Sequence, residues 1–146
     1  MKKIIAFIDK YVSDFQRCLN PNLEMFEPIR DEMQGDIVRG LNRHFEVDTY
    51  SNLWPSAEKF LSNDCPAYFA IITHVPYVIG ENPYEKSLEM IKNIHEKFPY
   101  TVIIAYTGAN EKSLPEDMVK EYGISYILRK TEHAEKDLEQ ILEWIS

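Results

Sequence analysis

Five apolar residues in a row, Val-Ile-Ile-Ala-Tyr at positions 102–106, decide the class of fold. Two similar runs occur earlier in the chain, at 4–8 and 67–72. Short runs that are apolar throughout and rich in Ile and Val are typical of strands buried on both faces, as in the centre of a parallel sheet. More mixed runs at 45–50 and 124–128 fit strands near the two edges of that sheet.

Amphipathic helical patterns lie between these runs. From Leu88 to Phe98 apolar residues recur at spacings of three and four, and Asn82 followed by Pro83 is typical of a helix start. Apolar residues at 36–44 predict the back half of a first helix, and 115–122, from Pro115 to the residue before Gly123, predicts a shorter helix. A last helix is predicted at the C-terminus, where one stripe contains Leu138, Ile141, Leu142 and Ile145.

Strands that alternate with helices predict βαβ units, whose right-handed crossovers place helices on both faces of the sheet. The sequence therefore predicts an α/β fold, a three-layer α/β/α sandwich with a five-stranded parallel sheet in the order 2-1-3-4-5. No repeat or change in composition marks a second domain, so we expect one domain over 1–146. The first connection, Tyr11–Gly35, is long, and the sequence leaves open whether it is a lid beside the site or contains a helix.

The charge of the chain limits its partners. The formal net charge is −8 and no basic block occurs, so nucleic acid and anionic membranes are not expected as partners. The apolar run at 4–8 ends at Asp9, below the length of a secretory core, and no run is long enough to cross a membrane. Two isolated cysteines predict neither a disulfide framework nor a zinc site, and we expect a cytoplasmic protein.

Polar residues follow the predicted strands. In open parallel sheets ligands bind outside the carboxyl ends of the strands, where the strand order reverses. Each such residue alone also fits an ordinary solvated strand end, but together they mark a candidate ligand or switch site. Its residues are Asp9, Lys10, Thr73, His74, Thr107 and Lys130.

Two motifs in this part of the chain resemble response-regulator receiver domains. The run Val-Ile-Ile-Ala-Tyr-Thr-Gly-Ala at 102–109 resembles their fourth strand, which ends in Thr or Ser and a small residue. The run at 121–131 resembles their segment with a glycine before the fifth strand and a lysine after it. The resemblance implies that Thr107 is the switch hydroxyl, Lys130 the phosphate-pairing lysine and Asp9 a remaining metal carboxylate.

The departures from the receiver pattern concern the chemistry itself. Receivers accept phosphate on an aspartate at the end of the third strand, where this chain has Thr73 and His74. Lys10 replaces the second acid of the metal pair, and a cation there would repel Mg²⁺. Thr131 stands where the family usually has a proline. Aspartyl phosphorylation needs both the carboxylate nucleophile and the metal, so we expect neither phosphorylation nor a bound metal or cofactor.

These observations support two hypotheses of different classes. The first is a degenerate receiver-like module that acts in signalling by binding another protein without phosphorylation, through a face that includes Tyr126 and residues 113–122. The alternative is a small enzyme or anion binder of the flavodoxin-like fold, with Asp9, His74 and Lys130 under a lid formed by 11–35. The sequence does not name the partner, and it leaves open a homodimer.

Overall fold

The computed structural model describes residues 3–9, 32–50, 67–74, 82–107, 120–131 and 133–146. Lys10 and residues 11–31 of the long first connection lie outside these ranges. The described residues form five strands and three complete helices. In chain order they are β1 Ile4–Ile8, α1 Glu32–Asn42, β2 Glu46–Tyr50, β3 Ala70–Thr73, α2 Asn82–Lys97, β4 Val102–Thr107, β5 Tyr126–Arg129 and α3 Ala134–Ile145.

The five strands form one parallel sheet in the order β2-β1-β3-β4-β5. This is the predicted order, and the sheet is the predicted doubly wound arrangement. The chain enters the sheet at its centre, moves to one edge, crosses back past β1 and then builds the other side. The strand order therefore reverses between β1 and β3, and their carboxyl ends flank the switch point.

Apolar residues fill both faces of the sheet, which confirms the three layers. On one face α2 contributes Leu88, Ile91 and Ile94 to a core that includes residues of all three central strands. On the other face α1 and α3 pack side by side over Phe7, Ile104 and Tyr106. The central strands are buried on both sides, which is why they read as continuous apolar runs.

Several element ends differ slightly from the sequence prediction. β3 begins at Ala70, three residues after the start of the apolar run at 67, while Tyr68 and Phe69 still pack into the core. Helix α1 begins at Glu32, so the last four residues of the 11–35 connection are helical. Residues 120–122 are helical and Gly123 follows with φ +81, as predicted for a helix that ends in a left-handed glycine.

Candidate functional site

The candidate residues lie at the carboxyl edge of the sheet because the strands are parallel and in register. Ile8 of β1 pairs with Thr73 of β3, and Thr73 pairs with Ala105 of β4. Thr107 pairs with Arg129, so Lys130 leaves β5 beside the end of β4. The amide of Lys130 donates a 2.7 Å hydrogen bond to the carbonyl of Thr107, which fixes where the lysine side chain starts.

The structure brings Asp9 and Lys130 into direct contact. The Nζ of Lys130 lies 2.7 Å from the Oδ2 of Asp9, although two strands, β3 and β4, separate β1 from β5 in the sheet. The Asp9 side chain is fully buried and the Lys130 side chain is 14% exposed. A pair this buried holds its geometry, because water cannot replace the attraction between the two charges when they separate.

The two threonines and His74 lie at the same edge with different exposure. Thr73 is completely buried, and its hydroxyl donates a 3.0 Å hydrogen bond to the carbonyl of His74. Thr107 is also buried, whereas His74 is half-buried. The hydroxyl of Thr73 is therefore screened from solvent and engaged with the backbone.

The described residues do not fit the magnesium site that a receiver needs. Mg²⁺ is held by carboxylate oxygens in a nearly octahedral set. Within the described ranges no group of three or more His, Cys, Asp or Glu side chains is placed to hold a metal ion. At this edge the carboxylate of Asp9 instead has an ammonium group within hydrogen-bond distance.

A second polar group near this edge was not predicted from the sequence. Asp137 is buried in the first turn of α3 and accepts hydrogen bonds from the Tyr106 hydroxyl at 2.5 Å and from Thr131. Asp137 precedes Ile141 and Ile145 by four and eight residues, so it occupies the apolar stripe of the helix. An acidic residue on that stripe was the signal available in the sequence.

A third polar group lies beside the edge strand β2. The hydroxyl of Tyr68 donates a 2.6 Å hydrogen bond to the buried Oδ2 of Asp48, and the Tyr50 and Tyr68 hydroxyls are 2.9 Å apart. Since the single hydroxyl proton of Tyr68 is directed to Asp48, Tyr50 is the donor to Tyr68. Burial, followed by the hydrogen bonds to Asp48 and Tyr50, raises the pKa of Tyr68 far above its ordinary value.

An open hollow of about 570 Å³ lies at the opposite, amino edge of the sheet. Apolar and aromatic side chains dominate its wall, and Tyr100 beside it is 97% exposed. The enzyme hypothesis places a pocket under residues 11–35 at the carboxyl edge, and that segment lies outside the described residues except for its last turn. The lining residues of the hollow are Lys3, Ile4, Ala67, Tyr68, Phe69, Lys97, Phe98, Pro99, Tyr100 and Thr101.

The parallel sheet with the order β2-β1-β3-β4-β5 defines the class of fold, the flavodoxin-like fold that response-regulator receivers also have. No protein-family profile matches the chain, and no curated protein matches it in sequence. Solved structures do match. A CheY-like receiver domain protein from Methanospirillum hungatei superposes with a TM-score of 0.64 at 16% identity, over 99% of this chain and 94% of that one.

Two further receivers show the same likeness. An orphan response regulator of H. pylori gives a TM-score of 0.62 at 19% identity, covering 99% of this chain and 97% of that chain. A response regulator from Burkholderia pseudomallei, solved with a phosphorylated aspartic acid and a calcium ion, gives 0.61 at 18% identity. This chain is covered over 99% of its length but spans only 66% of the Burkholderia chain. At these identities the comparisons establish the receiver fold.

No helix among the described residues is long and apolar enough to span a bilayer.

Proposed function

We propose that this protein is a receiver-like regulatory module that works by binding another protein and is not switched by phosphorylation. The observation that carries the proposal is Thr73. It occupies the end of the third strand, and it is fully buried with its hydroxyl bound to a backbone carbonyl. A hydroxyl becomes a nucleophile only when a base removes its proton, and this one is directed to a carbonyl oxygen, which cannot act as that base at neutral pH.

The ion pair between Asp9 and Lys130 supports the same proposal. In a phosphorylation switch the lysine after the fifth strand would pair with the phosphoryl group, and the resemblance implies that role for Lys130. Here the ammonium group is held by a buried carboxylate at 2.7 Å. Lys10, next to Asp9 in sequence, would add positive charge where the metal would sit. We infer that the strand-end site is held in one arrangement by protein charges alone.

Phosphorylation is tested with acetyl phosphate and Mg²⁺, followed by intact mass measurement. The expected result is no added phosphoryl group on this protein, while a working receiver domain treated in the same tube acquires one. A single stoichiometric addition to the folded protein would overturn the proposal. Peptide mapping of the modified protein would then identify the acceptor residue.

A gain-of-function variant tests the assignment of the site residues. The double variant Lys10→Asp/Thr73→Asp supplies a second metal carboxylate and a nucleophile at the positions implied by the receiver resemblance. We expect Mg²⁺-dependent uptake of one phosphoryl group by this variant. Circular dichroism first establishes that it is folded, because a carboxylate at the buried position 73 costs stability. No uptake by the folded variant would contradict the assignment.

The face around β5 is our candidate for the binding surface. Tyr126 on β5 is 39% exposed and its ring stacks on that of Trp144 in α3, with centroids 4.6 Å apart and an angle of 4° between the planes. Lys120 and Glu121, in the helix before β5, are exposed beside it in sequence. Aromatic residues are enriched at the centre of protein interfaces, and charged residues are common at the rim that surrounds them.

A matched pair of tyrosines tests this surface. Tyr126→Ala removes the exposed ring of the stacked pair, and Tyr100→Ala removes an even more exposed ring at the other end of the sheet. A specific partner captured by the wild-type protein should still be captured by Tyr100→Ala and be lost with Tyr126→Ala. Equal retention by both variants would contradict the assigned surface. Sedimentation of the purified protein separates self-association from binding of a different chain.

A further inference from the structure

The carboxylate of Asp137 connects the first turn of α3 to the end of β4, because it accepts hydrogen bonds from residues outside its own helix. Its Oδ2 accepts a 2.5 Å hydrogen bond from the hydroxyl of Tyr106 and a 3.1 Å hydrogen bond from the amide of Thr131. Its Oδ1 accepts a 2.8 Å hydrogen bond from the hydroxyl of Thr131. The carboxylate is almost fully buried, so these donors replace the water that it gave up on folding.

Thr131 is suited to this contact by both of its donors. Its hydroxyl oxygen accepts a hydrogen bond from the amide of His133 at 3.0 Å. Its single proton has two acceptors within reach, the carbonyl of His133 at 3.0 Å and the closer Oδ1 of Asp137 at 2.8 Å. The side chain of His133 does not cap the helix. A proline at 131, which the receiver pattern usually has, would supply neither the amide nor the hydroxyl donor. The departure at this position therefore creates the contact.

The same contacts reach the strand-end ion pair by way of Tyr106. The ammonium of Lys130 lies 5.1 Å from the centroid of the Tyr106 ring, within the range of a cation–π interaction. That ammonium is also the partner of Asp9. Tyr106 is completely buried, so its ring cannot shift without disturbing what packs against it. One continuous set of contacts thus runs from the end of β1 to the start of α3.

We propose that Asp137 is a positioning residue that couples the strand-end ammonium of Lys130 to the first turn of α3. A group that draws Lys130 away from Asp9 and from the Tyr106 ring then weakens the hydrogen bonds that Tyr106 and Thr131 donate to Asp137. As a result, the first turn of α3 becomes less stable. This inference rests on the contacts and not on the absence of phosphorylation, so acetyl phosphate labelling and the experiments below fail independently of each other.

Amide hydrogen exchange in full-length variants tests the coupling. Lys130→Met and Asp9→Asn alter the strand-end pair without touching α3. We expect the amides of Thr131, Lys136 and Asp137 to exchange roughly tenfold faster, beyond any uniform change in the amides of α1 and α2. Lys92→Met, on the helix across the sheet, is the control and should leave these three amides unchanged. A uniform increase over the whole protein would refute the coupling.

A double-mutant cycle gives a second, independent readout. Lys130→Met and Asp137→Asn are made singly and together, and the unfolding equilibrium constant is measured for each. If the two residues are coupled, the increase in the unfolding constant of the double variant should be roughly tenfold smaller than the product of the two single-variant increases. If they are independent, the increase should equal that product. If Asp137→Asn does not fold, Thr131→Ala replaces it in the cycle, with Thr131→Ser as the variant that keeps both donors. Multiplicative effects in the cycle would overturn the proposal.

Discussion

Replacing Lys130 by methionine is the perturbation that most directly tests the buried ion pair. Methionine keeps an unbranched, apolar side chain that is slightly shorter than that of lysine, and it removes the charge beside the buried carboxylate of Asp9. Two unit charges about 4 Å apart in an environment of moderate polarity attract by about 4 kcal/mol, and losing one partner of a buried pair costs about 3–5 kcal/mol. Since Asp9 and Lys130 each have a further contact, we expect a loss at the lower end of this range. Lys130→Met should therefore lower the free energy of unfolding by about 3 kcal/mol.

Neutralising the other partner, Asp9, should lower the free energy of unfolding by less. Asp9→Asn removes the carboxylate charge beside the ammonium of Lys130, and the 14% exposure of the lysine side chain lets the ammonium move toward water. We expect about 1–2 kcal/mol for Asp9→Asn. The double variant Asp9→Asn/Lys130→Met removes both charges of the ion pair, so it should be more stable than Lys130→Met alone.

Urea denaturation monitored by circular dichroism measures these differences. With a slope of about 2 kcal/mol per molar urea, a loss of 3 kcal/mol moves the midpoint by about 1.5 M. Lys136→Met, an exposed lysine on α3, is the control and should stay within about 0.5 kcal/mol of wild type. The reasoning is refuted if Asp9→Asn is as costly as Lys130→Met, or if the two effects simply add in the double variant.

Two more predictions follow from buried contacts. The pKa of Tyr68 is raised in the fold, so the folded state keeps the hydroxyl proton, while the unfolded chain loses it near pH 10. The contribution of this proton to the free energy of unfolding is therefore present below about pH 10 and is lost as the pH rises above it. Tyr68→Phe should therefore flatten the alkaline fall in the free energy of unfolding, at a cost of about 1–3 kcal/mol at neutral pH because Asp48 loses a donor; an unchanged alkaline slope would contradict this. Gly123→Ala should cost about 2–3 kcal/mol in urea denaturation, because φ is +81 and the added Cβ meets the ring and Cβ of His95. Gly40→Ala should cost less, since its Cβ meets only the methyl end of Leu138 and alanine favours the helix, and the opposite order would show that the packing argument is wrong.

The architecture could be predicted because its signals are local. The runs at 4–8 and 102–106 coincide with β1 and β4 to within one residue, since a strand buried on both faces must be apolar at every position. The alternation of strands and helices predicted a doubly wound sheet, and the order 2-1-3-4-5 was the one expected of a flavodoxin-type sheet with five βα units. The start of β3 was less sharp, because Tyr68 and Phe69 are buried before the hydrogen-bonded ladder begins.

The strand-end residues were predicted as a group, but not how they interact. That Asp9 and Lys130 both follow strands places them at one edge, which the sequence shows. Their ion pair requires the side chains to turn toward each other across β3 and β4, and no spacing in the chain encodes that direction. Whether these residues bind a partner group stays a prediction, which the variants above test.

What the sequence determined by itself is the fold class and the absence of a carboxylate at the end of the third strand. Both are statements about residue type along the chain, and hydrophobic periodicity acts over a few residues. Only the tertiary structure decided that Asp137, on an apolar stripe, accepts a hydrogen bond from the hydroxyl of Tyr106, 31 residues away in the chain. The same is true of the hydrogen bond that the Thr131 hydroxyl donates to Asp137. Buried polar groups find partners through the packing of whole elements, because a low-polarity interior makes any unmatched donor or acceptor costly wherever its match lies in the chain.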